Sequence, residues 1–347
     1  MSKRKLAELV DGGYVMGWDD PRLYTLVALR RRGVPPSAIL SFVGNLGVST
    51  AVTSIQISRF EQVLRQDLEQ TAPRLFMVMN PLKVVIENVP EGKVTMIEKH
   101  LHPKDLSLGQ STIPFTRTIY IEKEDFRIED SKDYFRLAPG KTVGLYQASP
   151  ITYVSHKTSP DGDVIEVICR LEDGSDGKPV PKPKATIQWV ADHPESGSPV
   201  KVDETRIFHQ FFKSDDPTSV KPDWKADINP DSLEVVKGAY LEIGFWTLAK
   251  KSYIAARKES TARTEKALQT ESISTSSSDD TPRPTSEQLV GNECVRFQAL
   301  RTAYFALDKD AKLGCLNEKE DVPPSRREGD FVVLNRLVTL KEDASKK

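Results

Sequence analysis

Ser2, Lys3, Arg4 and Lys5 put a hydroxyl, two ammonium groups and a guanidinium side by side at the start of the chain. Such a set can bond to phosphate oxygens and neutralise charge as it develops on them, above all from a mobile loop. A second basic cluster, Arg30, Arg31 and Arg32, is followed by Gly33. Cations at that place suit a helix C-terminus on electrostatic grounds alone, with glycine as the left-handed stop. They suit a phosphate backbone equally, because residues 1–75 hold ten basic side chains against seven acidic ones, a local balance of +3. Both readings stay open on the residues alone. His100 and His102 stand two apart with no third ligand near, and Cys169, Cys294 and Cys315 form no C-x-x-C pair. Neither a metal site nor a disulfide framework is therefore expected. Neither G-x-G-x-x-G nor G-x-x-x-x-G-K-[ST] occurs, so no standard phosphate-cradling loop is expected either. Trp18, Trp189, Trp224 and Trp246 read as core or junction aromatics rather than stacking platforms.

The elements that must position these residues change character near residue 75. Before it, Leu23, Leu26, Val27 and Arg30 fall at helical spacing after Asp19-Asp20-Pro21, which predicts a helix opening at that turn. Pro35-Pro36 opens a second helix with Ile39, Leu40, Phe42 and Val43 as its buried stripe, and Phe60, Val63, Leu64 and Leu68 mark a third. The segment reads as an all-helical bundle. After residue 75 the pattern turns to short runs rich in Val, Ile, Thr and Tyr, at 82–89, 117–122, 163–171, 185–190 and 331–340. Strands of that kind without amphipathic helices between them predict antiparallel barrels or sandwiches. Residues 174–184, 257–288 and 310–330 are polar, Pro- or Ser-rich and look unpacked, the middle one disordered. The chain has 347 residues, enough for two or three domains, and its net charge of −1 removes any overall basic excess as an argument for nucleic acid. No apolar run approaches a membrane span or a secretory h-region, so a soluble, reducing, cytoplasmic setting is expected.

Seven blocks then resemble one family in order: MSKRKL (1–6), GWDDPRLYTLVALRRRGVPPSAI (17–39), APRLFMV (72–78), YFRLAPGKTVGL (134–145), IQWV (187–190), CVRFQALRTAYFALD (294–308) and NRLVTLKED (335–343). Together they resemble glutaminyl-tRNA synthetase of the eukaryotic type, a class I aminoacyl-tRNA synthetase. The glutamate-specific relatives share the first two blocks, while RFQALR and NRLVTLKED look like the glutamine branch. The resemblance implies a ligase that joins L-glutamine to tRNA(Gln) through glutaminyl-adenylate, using ATP with Mg2+. MSKRK looks like that family's KMSKS signature loop, so Met1, Ser2, Lys3 and Arg4 would meet ATP, with Lys3, helped by Ser2, stabilising the triphosphate. Arg74, Arg136, Gln298 and Arg301 match residues that hold splayed anticodon bases, and Arg30, Arg31, Arg32 and Lys141 would touch the tRNA backbone. At Asp133, Phe135, Gly144 and Tyr146 the chain departs from the bacterial pattern, and individual contacts do not carry over there.

The implied fold is α+β and multi-domain, a helical segment followed by two antiparallel anticodon-binding β-barrels of the ribosomal-protein-L25 type. It divides into 1–75, the signature loop and helical tRNA-contacting region; 76–128, the first part of the proximal barrel; 129–205, the distal barrel; and 206–347, the return to the proximal barrel, with a disordered insert at about 257–290 and a loop insert at about 310–330. A H-I-G-H motif is absent from the sequence, so the expectation is a chain that supplies the signature loop and the anticodon grip without the Rossmann half. A free-standing tRNA(Gln)-binding module without ligase activity is the alternative. The family also implies a monomer with no membrane partner.

Overall fold

A computed structural model describes residues 2–47, 55–175, 177, 179–271 and 290–340. Five α-helices are described: α1 (Lys3–Asp11), α2 (Leu26–Arg32), α3 (Pro36–Leu46), α4 (Ile57–Thr71) and α5 (Gly244–Glu271). The α2 helix starts later than the sequence predicts. Asp20 is spent as a buried acceptor for the Met16 and Arg22 amides, at 2.9 and 3.0 Å, and for the Arg22 guanidinium. Thr25 then caps the helix, its hydroxyl accepting from the Ala28 amide at 3.1 Å. With the start displaced, Leu26 and Val27 lie exposed while Leu23, Ala28 and Leu29 are buried. On α3 the expected stripe is halved: Ile39 and Phe42 pack inward, Leu40 and Val43 face out.

The helices are not a self-contained bundle. Phe60, Leu64 and Leu68 of α4 and Leu29 of α2 pack on Tyr304, Ala306, Leu337 and Val338, which come from strands near the other end of the chain. The close approach fixes Gly33, the left-handed residue that ends α2: a Cβ there would stand 2.2 Å from the Cβ of Ala306. α1 packs separately, with Leu9 against Val15, Leu23 and Phe211.

The remaining chain forms two β units around two cores. In one, a seven-stranded sheet holds the strands Pro81–Ile86, Thr118–Glu122, Thr142–Leu145, Ala148–Thr158 and Val164–Leu171. The segment 186–191 borders both of its edges, Thr186–Ile187 beside Gly144–Leu145 and Val190–Ala191 beside Tyr120–Ile119. Both edge strands of the sheet thus come from one short segment, and its core gathers Val84, Ile86, Ile119, Val143, Val167 and Trp189. In the other unit, a six-stranded and a three-stranded sheet are joined by continuous chain at Arg74–Val78 and Val200–Phe208. Strand alternation makes Arg74–Val78 a shared wall, because successive side chains point to opposite faces. Leu75 and Met77 enter the core with Phe245, Phe297 and Phe305, whereas Phe76 and Val78 enter the core with Trp189.

Several expectations need correction here. The sheets are mixed: Lys83–Ile86 runs parallel to Glu166–Cys169, and Glu204–Arg206 parallel to Val333–Asn335. Those partners are far apart in sequence and meet through long returns rather than hairpins, which permits the parallel sense. Strands on both sides of 128/129 share one sheet and one core. Residues 257–271 continue α5; the rest of the expected disordered insert, apart from Val290, lies outside the described residues. The stretch 310–330 is partly packed, since Leu313, Cys315 and Leu316 are buried. Trp189 and Trp246 are core residues, but Trp18 is exposed.

Candidate nucleic-acid interface

Arg74 and Gln298 are brought side by side. The strand Arg74–Leu75 pairs in parallel with Arg296–Ala299, with Arg74 opposite Gln298, and Gln298 faces Tyr304 on its other flank. The backbone at Arg74 is held from both sides: its amide donates to the Leu101 carbonyl at 2.6 Å, and its carbonyl accepts from Lys99 Nζ at 2.7 Å. Lys99, itself buried, pairs with buried Glu242 at 3.1 Å, and Glu242 also accepts from the Phe76 amide and the Ser111 hydroxyl. Burying an ion pair this far from water is costly unless its remaining donors and lone pairs are bonded, as they are here. The Arg74 Nε, by contrast, is a buried donor with no partner among the described residues.

Arg136 and Arg301 converge on Asp125, a carboxylate only 2% exposed. Arg301 binds it bidentately at 2.9 and 3.0 Å, and Arg136 bonds at 2.8 Å. Both guanidiniums remain about a third exposed, at 34% and 30%. Burial pulls Arg136 toward lower pKa, yet the hydrogen bond and charge of Asp125 outweigh it and hold the guanidinium above its usual value. Arg301 adopts φ 62, in the left-handed region that costs a residue with a Cβ about 1 kcal/mol or more. The two bonds to Asp125 keep it there. Tyr134 lies beneath this cluster, with Arg127 and Arg136 over its ring at 4.4 and 5.3 Å; burial pushes its hydroxyl up to about 12, so it stays protonated and donates to the Glu124 carbonyl. The sequence reading missed Asp125 and Tyr134. Tyr134 lies in the quoted YFR block, whereas no spacing pattern singles out Asp125.

The other expected site residues are placed differently. Ser2 is the N-cap of α1, accepting weakly from the Lys5 amide at 3.4 Å, so Lys3, Arg4 and Lys5 stand on the first helical turn rather than in a loop. A serine followed by strong helix formers explains the order. Lys3 and Arg4 are exposed, while Lys5 lies over Trp224 at 5.2 Å. Met1 lies outside the described residues. Arg31 is buried on carboxylates, at 3.1 Å from Asp308 and 2.9 Å from Asp310, and Arg206 joins the same pair. In that position it docks α2 and offers no charge to a ligand. Arg32 lies against Phe208 and donates to the Arg336 carbonyl, burial drawing its pKa down. Arg30 is exposed and pairs with Glu293 at 2.5 Å. Lys141 pairs with Asp130 and donates to the carbonyls of Ser131 and Tyr134. His102 is buried, bonded to the Glu69 carbonyl through Nε2 and accepting two amides at Nδ1, which ties α4 to the loop after it.

Comparison with known proteins gives this arrangement a family. The model described as "tRNA synthetases class I (E and Q), anti-codon binding domain" matches residues 72–172, and the corresponding "catalytic domain" model matches residues 1–70. The chain belongs to this class I glutamate and glutamine tRNA synthetase family. Within it, the likeness is to the glutamine branch. The whole chain aligns with a probable glutamine–tRNA ligase of Schizosaccharomyces pombe at 42% identity, with the glutamine–tRNA ligase of Saccharomyces cerevisiae at 38%, and with the cytoplasmic glutamine–tRNA ligase of Arabidopsis thaliana at 36%. It covers 38%, 39% and 36% of those proteins respectively, so the chain spans about two-fifths of the length of the curated relatives it matches.

Proposed function

We propose that this chain is the tRNA-gripping portion of a glutamine–tRNA ligase and reads the anticodon of tRNA(Gln) with Arg74, Gln298, Arg136 and Arg301. The two β units would be the family's two anticodon-binding barrels, and the helical region would lie along the inside of the tRNA. The observation that carries this reading is the pairwise convergence of those four residues, distant in sequence: Arg74 opposite Gln298, and Arg136 with Arg301 on Asp125. Their chemistry suits the task. An unstacked base exposes its Watson–Crick edge; the Gln298 amide can donate and accept together, and a guanidinium such as that of Arg74 can bond bidentately or stack.

In the complete enzyme ATP would supply the phosphoanhydride that drives ligation, with Mg2+ carried on its phosphates. Ser2, Lys3 and Arg4 fit such phosphates at the α1 N-terminus, whereas the described residues contain no group of side chains arranged to hold a metal ion. The activity proposed for the whole protein is ATP-dependent attachment of L-glutamine to tRNA(Gln), in the cytoplasm and as a monomer. For the reading itself, we expect the 347-residue chain to bind tRNA(Gln) with an affinity that falls steeply with salt and on altering the anticodon. Arg74→Ala should cost about 1–3 kcal/mol of that anticodon discrimination with the melting temperature kept. Equal affinity of the native chain for tRNAs of different anticodon would refute the reading.

A further inference from the structure

Beside Arg136 lies an open groove of about 630 Å³ between the segment 130–135 and the segment 181–184, lined by Lys132, Phe135, Lys141, Thr142, Lys182 and Lys184 among others. Such a volume is within the range of ligand clefts. Lys141 is spent on Asp130. Lys132, Lys182 and Lys184 are exposed and have no carboxylate partner among the described residues. Phe135 is 47% exposed, and Lys184 Nζ rests 5.3 Å from its ring centroid. A half-exposed aromatic ring sharing a groove with exposed ammonium groups is the usual composition of a single-stranded nucleic-acid contact, where the ring takes a base and the cations take the phosphates.

We propose that this groove binds one unpaired RNA nucleotide next to the bases met by Arg136 and Arg301, with its base stacked on Phe135 and its flanking phosphates on Lys132, Lys182 and Lys184. Lys184 already stands over the ring. An arriving base takes that face and moves the ammonium onto the nucleotide's own phosphate, exchanging an exposed cation–π contact for stacking. Thr142 continues the groove floor into the strand Thr142–Leu145, so the contact is built on the sheet and not on loops alone. Stacking tolerates any base, so the groove adds affinity and fixes the path of the strand while discrimination stays with the neighbouring residues.

The inference rests on the tRNA reading above, and its test separates the two. Binding of a tRNA(Gln) anticodon stem-loop to the full chain is measured across a salt series for the native protein, Phe135→Ala, the double variant Lys182→Gln/Lys184→Gln, and Arg74→Ala. Phe135→Ala should weaken binding roughly tenfold without a change in anticodon preference. The double variant should make the slope of log K against log salt shallower by about 1.4, two phosphate contacts at about 0.7 each for a single strand. All four side chains are at least partly exposed, so native melting is expected throughout. If the native chain binds and Arg74→Ala weakens it while both groove variants bind like native, the groove assignment is wrong and the reading stands. If the native chain fails to bind the stem-loop at low salt, the reading itself falls and the groove with it.

Discussion

Asp125 sits between two guanidiniums supplied by two β units, Arg136 from the unit cored by Trp189 and Arg301 from a turn of the unit cored by Phe297. The carboxylate does two jobs: it offsets the cation repulsion, and it holds Arg301 in its left-handed conformation. Asp125→Ala should destabilise the protein by about 2–3 kcal/mol, less than the loss of a fully buried pair because both guanidiniums reach water. The same variant should lose anticodon discrimination, since Arg301 is then released from its turn. Asp125→Asn retains an acceptor and should fall between native and Ala in both measurements, chemical unfolding and tRNA affinity. An unchanged discrimination in Asp125→Ala would limit Asp125 to a structural part. Arg136 and Arg301 were legible through motifs of the family, but Asp125 lies 11 residues from one and 176 from the other, separations that leave no local pattern to read.

At the scale of elements, the RRR cluster at the end of α2 divides by burial. The sequence offered a helix C-terminus or a phosphate contact for all three arginines alike, because periodicity says which residues share a helix face and not what lies against it. The strand Val333–Thr339 and the Asp308 loop decide the matter by covering Arg31 and leaving Arg30 in water. Asp308 is fully buried and relies on Arg31, Arg206 and Asn335. Arg31→Ala should therefore cost about 3 kcal/mol in urea unfolding, as it strands part of that buried charge. Arg30→Ala, which removes an exposed pair, should cost under about 1 kcal/mol. Comparable losses in the two variants would contradict the docking role. The displaced start of α2 has a similar origin: Asp20 carries the signature of a cap, but its carboxylate is already committed to Met16 and Arg22, and local sequence does not reveal that competition.

Across the whole molecule, the strand Arg74–Val78 decides how the two β units behave together. Its existence was legible as APRLFMV, but its role was not, since an uninterrupted apolar run reads as a buried strand without saying that its two faces belong to different cores. Phe76 and Val78 complete one core, Leu75 and Met77 the other, and the Lys99–Glu242 pair pins the same backbone where α5 begins. Neither unit can lose its packing without exposing apolar faces of this shared wall. The two cores should consequently unfold as one cooperative transition. Trp189 and Trp246 report on them separately, each buried in a different core. In variants that keep only one of these tryptophans as the fluorophore, the two urea midpoints should coincide. Phe76→Ala, which opens a cavity on the Trp189 side, should lower both midpoints by the equivalent of about 3–5 kcal/mol. A shift confined to the Trp189 signal would mean that the units unfold independently and that the wall transmits nothing. A coincident shift would also explain why residues for anticodon contact can be divided between two cores: the bases would meet a surface whose two halves keep their relative placement because one strand belongs to both.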